Sequence, residues 1–252
     1  MPIGVATIYD LAASNRAPHN LVNHRKAMLS RADVINKLLS QFANPRYLEI
    51  GVWRGDTFFQ CNFTHGTAVD PAFAFDVEAA KQANPNSNYV AQESDQYFCQ
   101  LGPDVKFDVI FIDGMHTFEQ SLTDLQNSIH HLAPKGYIVL DDVIPNDYAA
   151  SFPDRNKSKQ YRSIVGELGD SWVGNVFKTI FSVSAFMPAY SYATALENHG
   201  QAILWREARP PGLPKRDLAS ITSMQFADAM IQRQIWQLKP LDEIIKISAK
   251  RS

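Results

Sequence analysis

The sequence predicts an α/β domain on a doubly wound, mostly parallel sheet, and three observations carry that expectation. Two continuous apolar runs, one ending at Asp113 and one at the pair Asp141 and Asp142, look like strands covered on both faces. Amphipathic stretches of helix length alternate with strand-like runs, the βαβα order that lays strands side by side in parallel. A glycine-bracketed turn, Gly51-Val52-Trp53-Arg54-Gly55, closes the strand-like run that begins at Tyr47 and is expected to lead into a helix, at the sheet edge where such folds bind ligands.

Taken in order, residues 30–42 place Val34, Ile35, Leu38, Leu39 and Phe42 on one helical face, with Ser30 and Asp33 spaced as an N-terminal cap. Asn44-Pro45 ends this helix, because the residue before proline is pushed away from helical geometry. Strands are then expected over 47–52 and 67–70, a helix over 73–83, strands over 89–92 and 107–113, and a helix over 117–132. Thr117 opens that last helix, with Gln120 completing a capping box, and Pro134-Lys135-Gly136 stops it. The next strand covers 136–142, a polar loop 145–159, and helical spacing resumes over 161–168. Residues 190–196 and 202–205, joined through Asn198-His199-Gly200, read as a hairpin that puts an antiparallel strand at the edge where the sheet ends.

Arg209-Pro210-Pro211-Gly212-Leu213-Pro214 reads as a linker. Beyond it Leu218, Ile221, Met224, Ile231, Ile235 and Leu238 trace an amphipathic helix, expected to pack on the parent domain, with a homo-oligomer contact or a lid as the alternatives. The expected organisation is an N-terminal helical extension over 1–44, a ligand-binding domain over 45–206 and a C-terminal helical appendage over 207–252.

Composition sets the outer bounds. At 252 residues, 45% hydrophobic and 20% charged, the chain is an ordinary globular one, and a net charge of −2 gives no global attraction to nucleic acid or anionic lipid. No apolar run approaches the roughly 20 residues that span a bilayer. The two cysteines, Cys61 and Cys99, have no metal spacing and read as free thiols of a cytoplasmic protein.

Chemistry concentrates at the strand ends. Glu49 precedes the glycine turn, and Asp70 closes the next strand, where a carboxylate can accept hydrogen bonds from both hydroxyls of a ribose. Asp113, Asp141 and Asp142 would repel one another at neighbouring strand ends unless a cation neutralises them. Their all-oxygen donor set suits a hard divalent ion, Mg²⁺ first and Mn²⁺ next. His116, three residues after Asp113, would sit on the loop above such an ion within reach of a substrate hydroxyl as general base. Plainer roles stand beside these: a tight turn for the glycines, backbone capping for the acids, a loop hydrogen bond for His116, and partly solvated surface for His130 and His131.

With these residues in view, the chain resembles the class I methyltransferases that use S-adenosylmethionine (SAM), over roughly 47–205. The resemblance implies a Rossmann-like fold in which Gly51 and Gly55 line the turn beneath the cofactor, Asp70 takes the ribose, and Glu93, Ser94 or Asp95 lies near adenine. It narrows to the metal-dependent bacterial O-methyltransferases that modify sugars and natural products, whose strand-end acids correspond to Asp113, Asp141 and Asp142. The catechol-type branch usually has Asp-Asn where this chain has Asp141-Asp142. The implied activity is methyl transfer to a hydroxyl of a small molecule. The alternatives are a metal-free small-molecule methyltransferase and a non-catalytic SAM-binding module. Acceptor recognition is expected from the 145–159 loop, with Tyr148, Phe152 and Tyr161 able to stack on a ring, from the N-terminal segment and from the C-terminal helices.

Overall fold

Alternation along each buried strand sorts its side chains onto two faces, and each face here has its own core. The computed structural model describes residues 28–209 and 216–250. Its strands are β1 (Arg46–Ile50), β2 (His65–Val69), β3 (Ser87–Val90), β4 (Phe107–Ile112), β5 (Leu132–Leu140), β6 (Tyr190–Ala195), β7 (Ala202–Arg206) and β8 (Leu238–Lys239). They form one sheet in the order β3-β2-β1-β4-β5-β7-β6-β8. β1 to β5 pair in parallel, and β7 runs antiparallel to both β5 and β6. The winding reverses between β1 and β4, which opens a crevice at their C-terminal ends.

The helices are α1 (Arg31–Leu39), α2 (Val77–Ala83), α3 (Ser94–Gln100), α4 (Phe118–His131), α5 (Arg155–Val165), α6 (Phe177–Phe186), α7 (Leu218–Ser223), α8 (Phe226–Ile231) and α9 (Leu241–Ser248). Val109, Phe111 and Val139 pack on one face with Val34, Ile35 and Leu38 of α1 and Leu241 and Ile244 of α9. Ile110, Ile112 and Leu140 pack on the other with Leu125 of α4, Ile180 of α6 and the C-terminal Ile221 and Trp236. Truncating fully buried Phe111 to alanine would cost about 3–5 kcal/mol.

Several expectations change in detail. The capping box at α1 is present, with the Asp33 amide donating to Ser30 Oγ (3.1 Å) and the Ser30 amide to Asp33 Oδ2 (2.8 Å). After Gly55 the chain makes only the short 3-10 turn Phe58–Gln60 rather than a helix. Helix α5 begins inside the expected loop, because Asp154 caps it by accepting from the Asn156 and Lys157 amides, and Gly166 ends it in the left-handed region. Helices α3 and α6 were not anticipated. The sheet extends past the hairpin by β8, paired in parallel with β6.

The expected C-terminal helix is broken into α7, α8, the 3-10 turn Arg233–Trp236 and β8. Ile221, Met224 and Ile235 are buried, whereas Leu218, Ile231 and Leu238 are exposed, so one helical stripe cannot hold all six. The segment is nonetheless integral, with Trp236 Nε1 donating to Val143 O (2.8 Å). The proline-rich linker, apart from Arg209, and the N-terminal segment before residue 28 lie outside the described residues. Among the described residues no helix is long and apolar enough to cross a membrane.

Candidate active site

At the end of β1 the chain must turn sharply off the sheet. Gly51 does so at φ +84°, and its amide donates to Val69 O (2.9 Å). A Cβ there would stand 2.1 Å from Asp113 O, so glycine is required by the close approach of the Asp113 loop as well as by the turn. Gly55 closes the turn, donating to Val52 O (2.7 Å). Asp70 holds it from the side: its Oδ2 accepts from the Val52 and Trp53 amides (2.9 and 2.8 Å) and its Oδ1 from the Ala72 amide (2.7 Å). Two carboxylate oxygens offer about four acceptor positions, so these three bonds fill Oδ2 and leave one position on Oδ1.

Glu49 is buried beneath the turn and accepts from the Tyr47 hydroxyl (2.6 Å). Burial pushes its carboxyl up to about 8, against the opposing effect of that hydrogen bond. Beyond β3, Glu93 stands at the N-cap position of α3, which Ser94 and Asp95 open. The Gln120 side-chain amide donates to Ser94 Oγ (3.2 Å), Asp95 Oδ1 (3.1 Å) and Asp124 Oδ1 (3.1 Å). At the start of α4 only the Thr117 half of the expected capping box is described, since Gln120 reaches across to α3 instead. Asp124 had no sequence marker. Burial raises it to about 6, opposed by Ser94 and Gln120.

The other end of the crevice collects the acids. The Asp113 amide donates to Ile50 O (2.8 Å) and the Asp141 amide to Ile112 O (3.0 Å), so the sheet ladder itself delivers both residues to adjacent strand ends. Burial first, then repulsion from Asp141 and Asp142, holds the Asp113 carboxyl well above the usual carboxylate range. Arg31, at the start of α1, reaches into this cluster. Its Nε bonds Asp141 Oδ2 and lies 3.7 Å from Asp113 Oδ2, and its Nη2 lies 3.6 Å from Asp142 Oδ1. Burial disfavours the guanidinium charge, but the acids outweigh it and raise its pKa. Nothing in the local sequence marks Arg31, because its role depends on where α1 lies against the sheet.

His116 joins the acids as expected. Its Nδ1 lies 2.8 Å from Asp142 Oδ2, at ion-pair distance but out of line for a hydrogen bond, and its Nε2 lies 3.5 Å from Asp113 Oδ1. Both His116 and Asp142 have φ +57°, a strained conformation for side-chain-bearing residues that costs on the order of 1 kcal/mol or more each. The strain is held by the unanticipated segment 171–175. Trp172 stacks on the His116 ring at 4.9 Å, and Asn175 Oδ1 accepts from the Phe118 amide (2.6 Å). Gly174 presses so close that a Cβ would fall 1.7 Å from His116 O.

His199, at the turn between β6 and β7, also reaches the cluster, with Nε2 3.9 Å from Asp141 Oδ1. Ligand atoms of Asp113, His116 and Asp142 all lie within 4.8 Å of one another, as do those of Asp141, Asp142 and His199. Of the other histidines on α4, His131 is buried rather than solvated, its Nδ1 3.0 Å from Val105 O and its ring stacked on Phe98. Tyr148, Phe152 and Tyr161 pack on one another edge-on or tilted, with ring centroids 5.1–5.5 Å apart.

A cavity of about 800 Å³ joins the two ends, from Gly51, Asp70 and Ser94 to Asp113, His116 and His199. Glu49, Glu93, Asp95 and Asp142 also line it, whereas Gly55 and Asp141 lie behind its wall. Its size is ordinary for a small-molecule site.

The segment 48–143, which holds the turn and all three strand-end acids, matches a family described as a methyltransferase domain. Two solved structures share the fold. A provisionally assigned O-methyltransferase of Klebsiella pneumoniae is 16% identical and superposes with a TM-score of 0.51 over 71% of this chain and 82% of its own. A cofactor-bound protein from MTB is 16% identical, with a TM-score of 0.50 over 73% of this chain and 84% of its own. No curated protein sequence matches. The fold is therefore that of the class I methyltransferases, and the segment 48–143 is similar to a methyltransferase domain.

Proposed function

We propose that this protein is a SAM-dependent, divalent-metal-dependent O-methyltransferase acting on a hydroxyl of a small molecule such as a sugar or other natural product. The observation that carries the reading is that one cavity joins a glycine turn braced by Asp70 to Asp113 and Asp142, with Asp141 just behind its wall, three strand-end acids that Arg31 alone does not balance. Once a bound cation ionises all three carboxylates, one guanidinium would leave two negative charges, the complement of a divalent ion. Asp141 Oδ1 and His199 Nε2 are buried without hydrogen-bond partners beside this excess charge, as the donor set of such a site requires.

The cofactor end fits SAM in the same residue-by-residue way. Gly51 allows backbone approach, Asp70 Oδ1 keeps one acceptor position for a ribose hydroxyl, and Glu49 offers a carboxyl that a nearby ammonium would ionise. Ser94 and Asp95 lie where the cavity receives an adenine. Glu93 borders it, and Gly55 supports the turn from behind.

When bound, SAM supplies a methyl group activated by its sulfonium, and the ion supplies positive charge that lowers the pKa of a ligated hydroxyl. Asp113, Asp141 and Asp142 hold that charge at one end of the cavity, with Mg²⁺ or Mn²⁺ as the hard-ion choices. His116 would take the hydroxyl proton as the methyl group passes from the sulfonium to that oxygen. Trp172 and Gly174 fix the imidazole for that transfer, and orientation contributes much of the rate. The free thiols Cys61 and Cys99 suit a reducing, cytoplasmic setting.

Calorimetric titration of SAM into metal-stripped protein, followed by an acceptor screen with Mg²⁺, with Mn²⁺ and with chelator, tests the reading. Saturable SAM binding with chelator-sensitive methylation supports it. Methylation that is indifferent to chelator would leave a metal-free enzyme, and absence of SAM binding would remove the methyltransferase reading.

A further inference from the structure

The turn that carries His199 is tied down on both sides. The Val143 amide donates to Gly200 O (3.0 Å), which fastens the turn to the chain just beyond Asp142. The Leu29 amide donates to Glu197 O (2.8 Å), and Asn198 Nδ2 donates back to Leu29 O (2.9 Å), which fastens it to the residues before Arg31. Gly200, at φ +131°, packs closely enough that a Cβ would meet the Ile144 amide nitrogen at 3.1 Å. A hairpin turn restrained in this way has a structural reason to be rigid, and what it presents to the site is one imidazole.

The two atoms that face each other there are both unused. His199 Nε2 and Asp141 Oδ1 are buried and have no hydrogen-bond partner, and the Asp141 side chain is fully buried. Their separation of 3.9 Å is too long for a hydrogen bond but within the span of two ligands sharing one ion. Arg31 does not compete for this position, because its Nε bonds the other oxygen, Asp141 Oδ2.

We propose that His199 is a nitrogen ligand of the divalent ion, alongside Asp141 and Asp142, and that it tunes the site toward Mn²⁺ over Mg²⁺. The inference rests on the metal-dependent reading above. Its chemical content is the change from an all-oxygen set to a mixed set: Mg²⁺ dehydrates reluctantly and is held by oxygen, while Mn²⁺, the hardest of the first-row transition ions, keeps the carboxylates and tolerates a nitrogen beside them better than Mg²⁺ does.

Mn²⁺ binding to the intact chain, followed by electron paramagnetic resonance, tests this without any acceptor. The protein is titrated with Mn²⁺, and pulsed spectra are read for coupling to a nitrogen-14 nucleus, in wild type, His199→Ala, His199→Gln and His116→Ala. Thermal melting and SAM titration confirm that each variant is folded. The expected result is one bound Mn²⁺ with nitrogen coupling that survives in His116→Ala and is lost in both His199 variants. In those variants Mn²⁺ affinity falls about tenfold or more, while Mg²⁺ affinity, read by competition, changes little. Bound Mn²⁺ without nitrogen coupling, or with coupling that persists in His199→Gln, would overturn the role of His199 and leave metal dependence standing. Failure of the wild type to bind Mn²⁺ or Mg²⁺ would overturn both.

Discussion

The two ends of the cavity are built in different ways. The proposed cofactor end comes from the turns that close consecutive strands: the Gly51 turn after β1, Asp70 after β2 and Ser94 after β3, each placed by the register of neighbouring parallel strands. The acceptor end draws Arg31, Asp113, His116, Asp141, Trp172 and His199 from segments far apart in the chain. Every group at the first end sits on the sheet edge itself, whereas half of those at the second arrive on segments folded over it. A local motif can therefore specify the binding of a common cofactor, but the acceptor chemistry depends on how remote segments pack.

The difference can be tested by substitutions that injure one end and spare the other. Asp141→Asn should cause the largest separation, lowering metal-dependent turnover by about a hundredfold or more with SAM affinity kept, as read by methylation assay and calorimetry. Gly51→Ala should damage both ends together, because the new Cβ meets Asp113 O. A stability loss of roughly 2–4 kcal/mol in denaturant titration is expected. Asp70→Ala should be the mirror of Asp141→Asn, weakening SAM binding about tenfold as the Val52 and Trp53 amides lose their acceptor, with Mn²⁺ binding unchanged.

Smaller effects sharpen the same contrast. Trp172→Leu should lower kcat by about tenfold through a looser His116 imidazole, with SAM affinity unaffected. For Glu49, a folded pKa of about 8 against an ordinary 4.5 means that the folded state keeps a proton the unfolded chain has released. Its stabilising contribution is complete below about pH 4.5 and is lost as pH rises to about 8, with a slope of at most about 1.4 kcal/mol per pH unit. Chemical unfolding of the unliganded protein across that range should show the decline, and Glu49→Gln should flatten it. A wild-type profile already flat between those limits would rule out the buried, protonated carboxyl.

Legibility followed the same division. The parallel strands were readable because a strand covered on both faces must be largely apolar, as β4, buried at every position and apolar but for Asp108, shows. The Ser30 cap and the Asn198-His199-Gly200 turn were readable from local residue chemistry. Gln120 misled because its spacing fits a capping box, whereas contact with α3 decided its hydrogen bonds. The C-terminal residues misled because hydrophobic spacing does not report where a chain will break. Three short elements and a two-residue strand place Ile221 and Trp236 in the core while leaving Ile231 outside.

Local sequence was enough to specify the parallel strands, the edge at which they end, the turn at Gly51 and the three carboxylates that close two strands, since apolar runs, glycine conformation and charge are properties of neighbouring residues. Tertiary structure alone decided that Arg31 shares the charge of those acids, that Trp172 and Gly174 grip His116, and that His199 faces Asp141. Those relationships are distances between segments widely separated in the chain, and only the packing of helices and the hairpin against the sheet sets them.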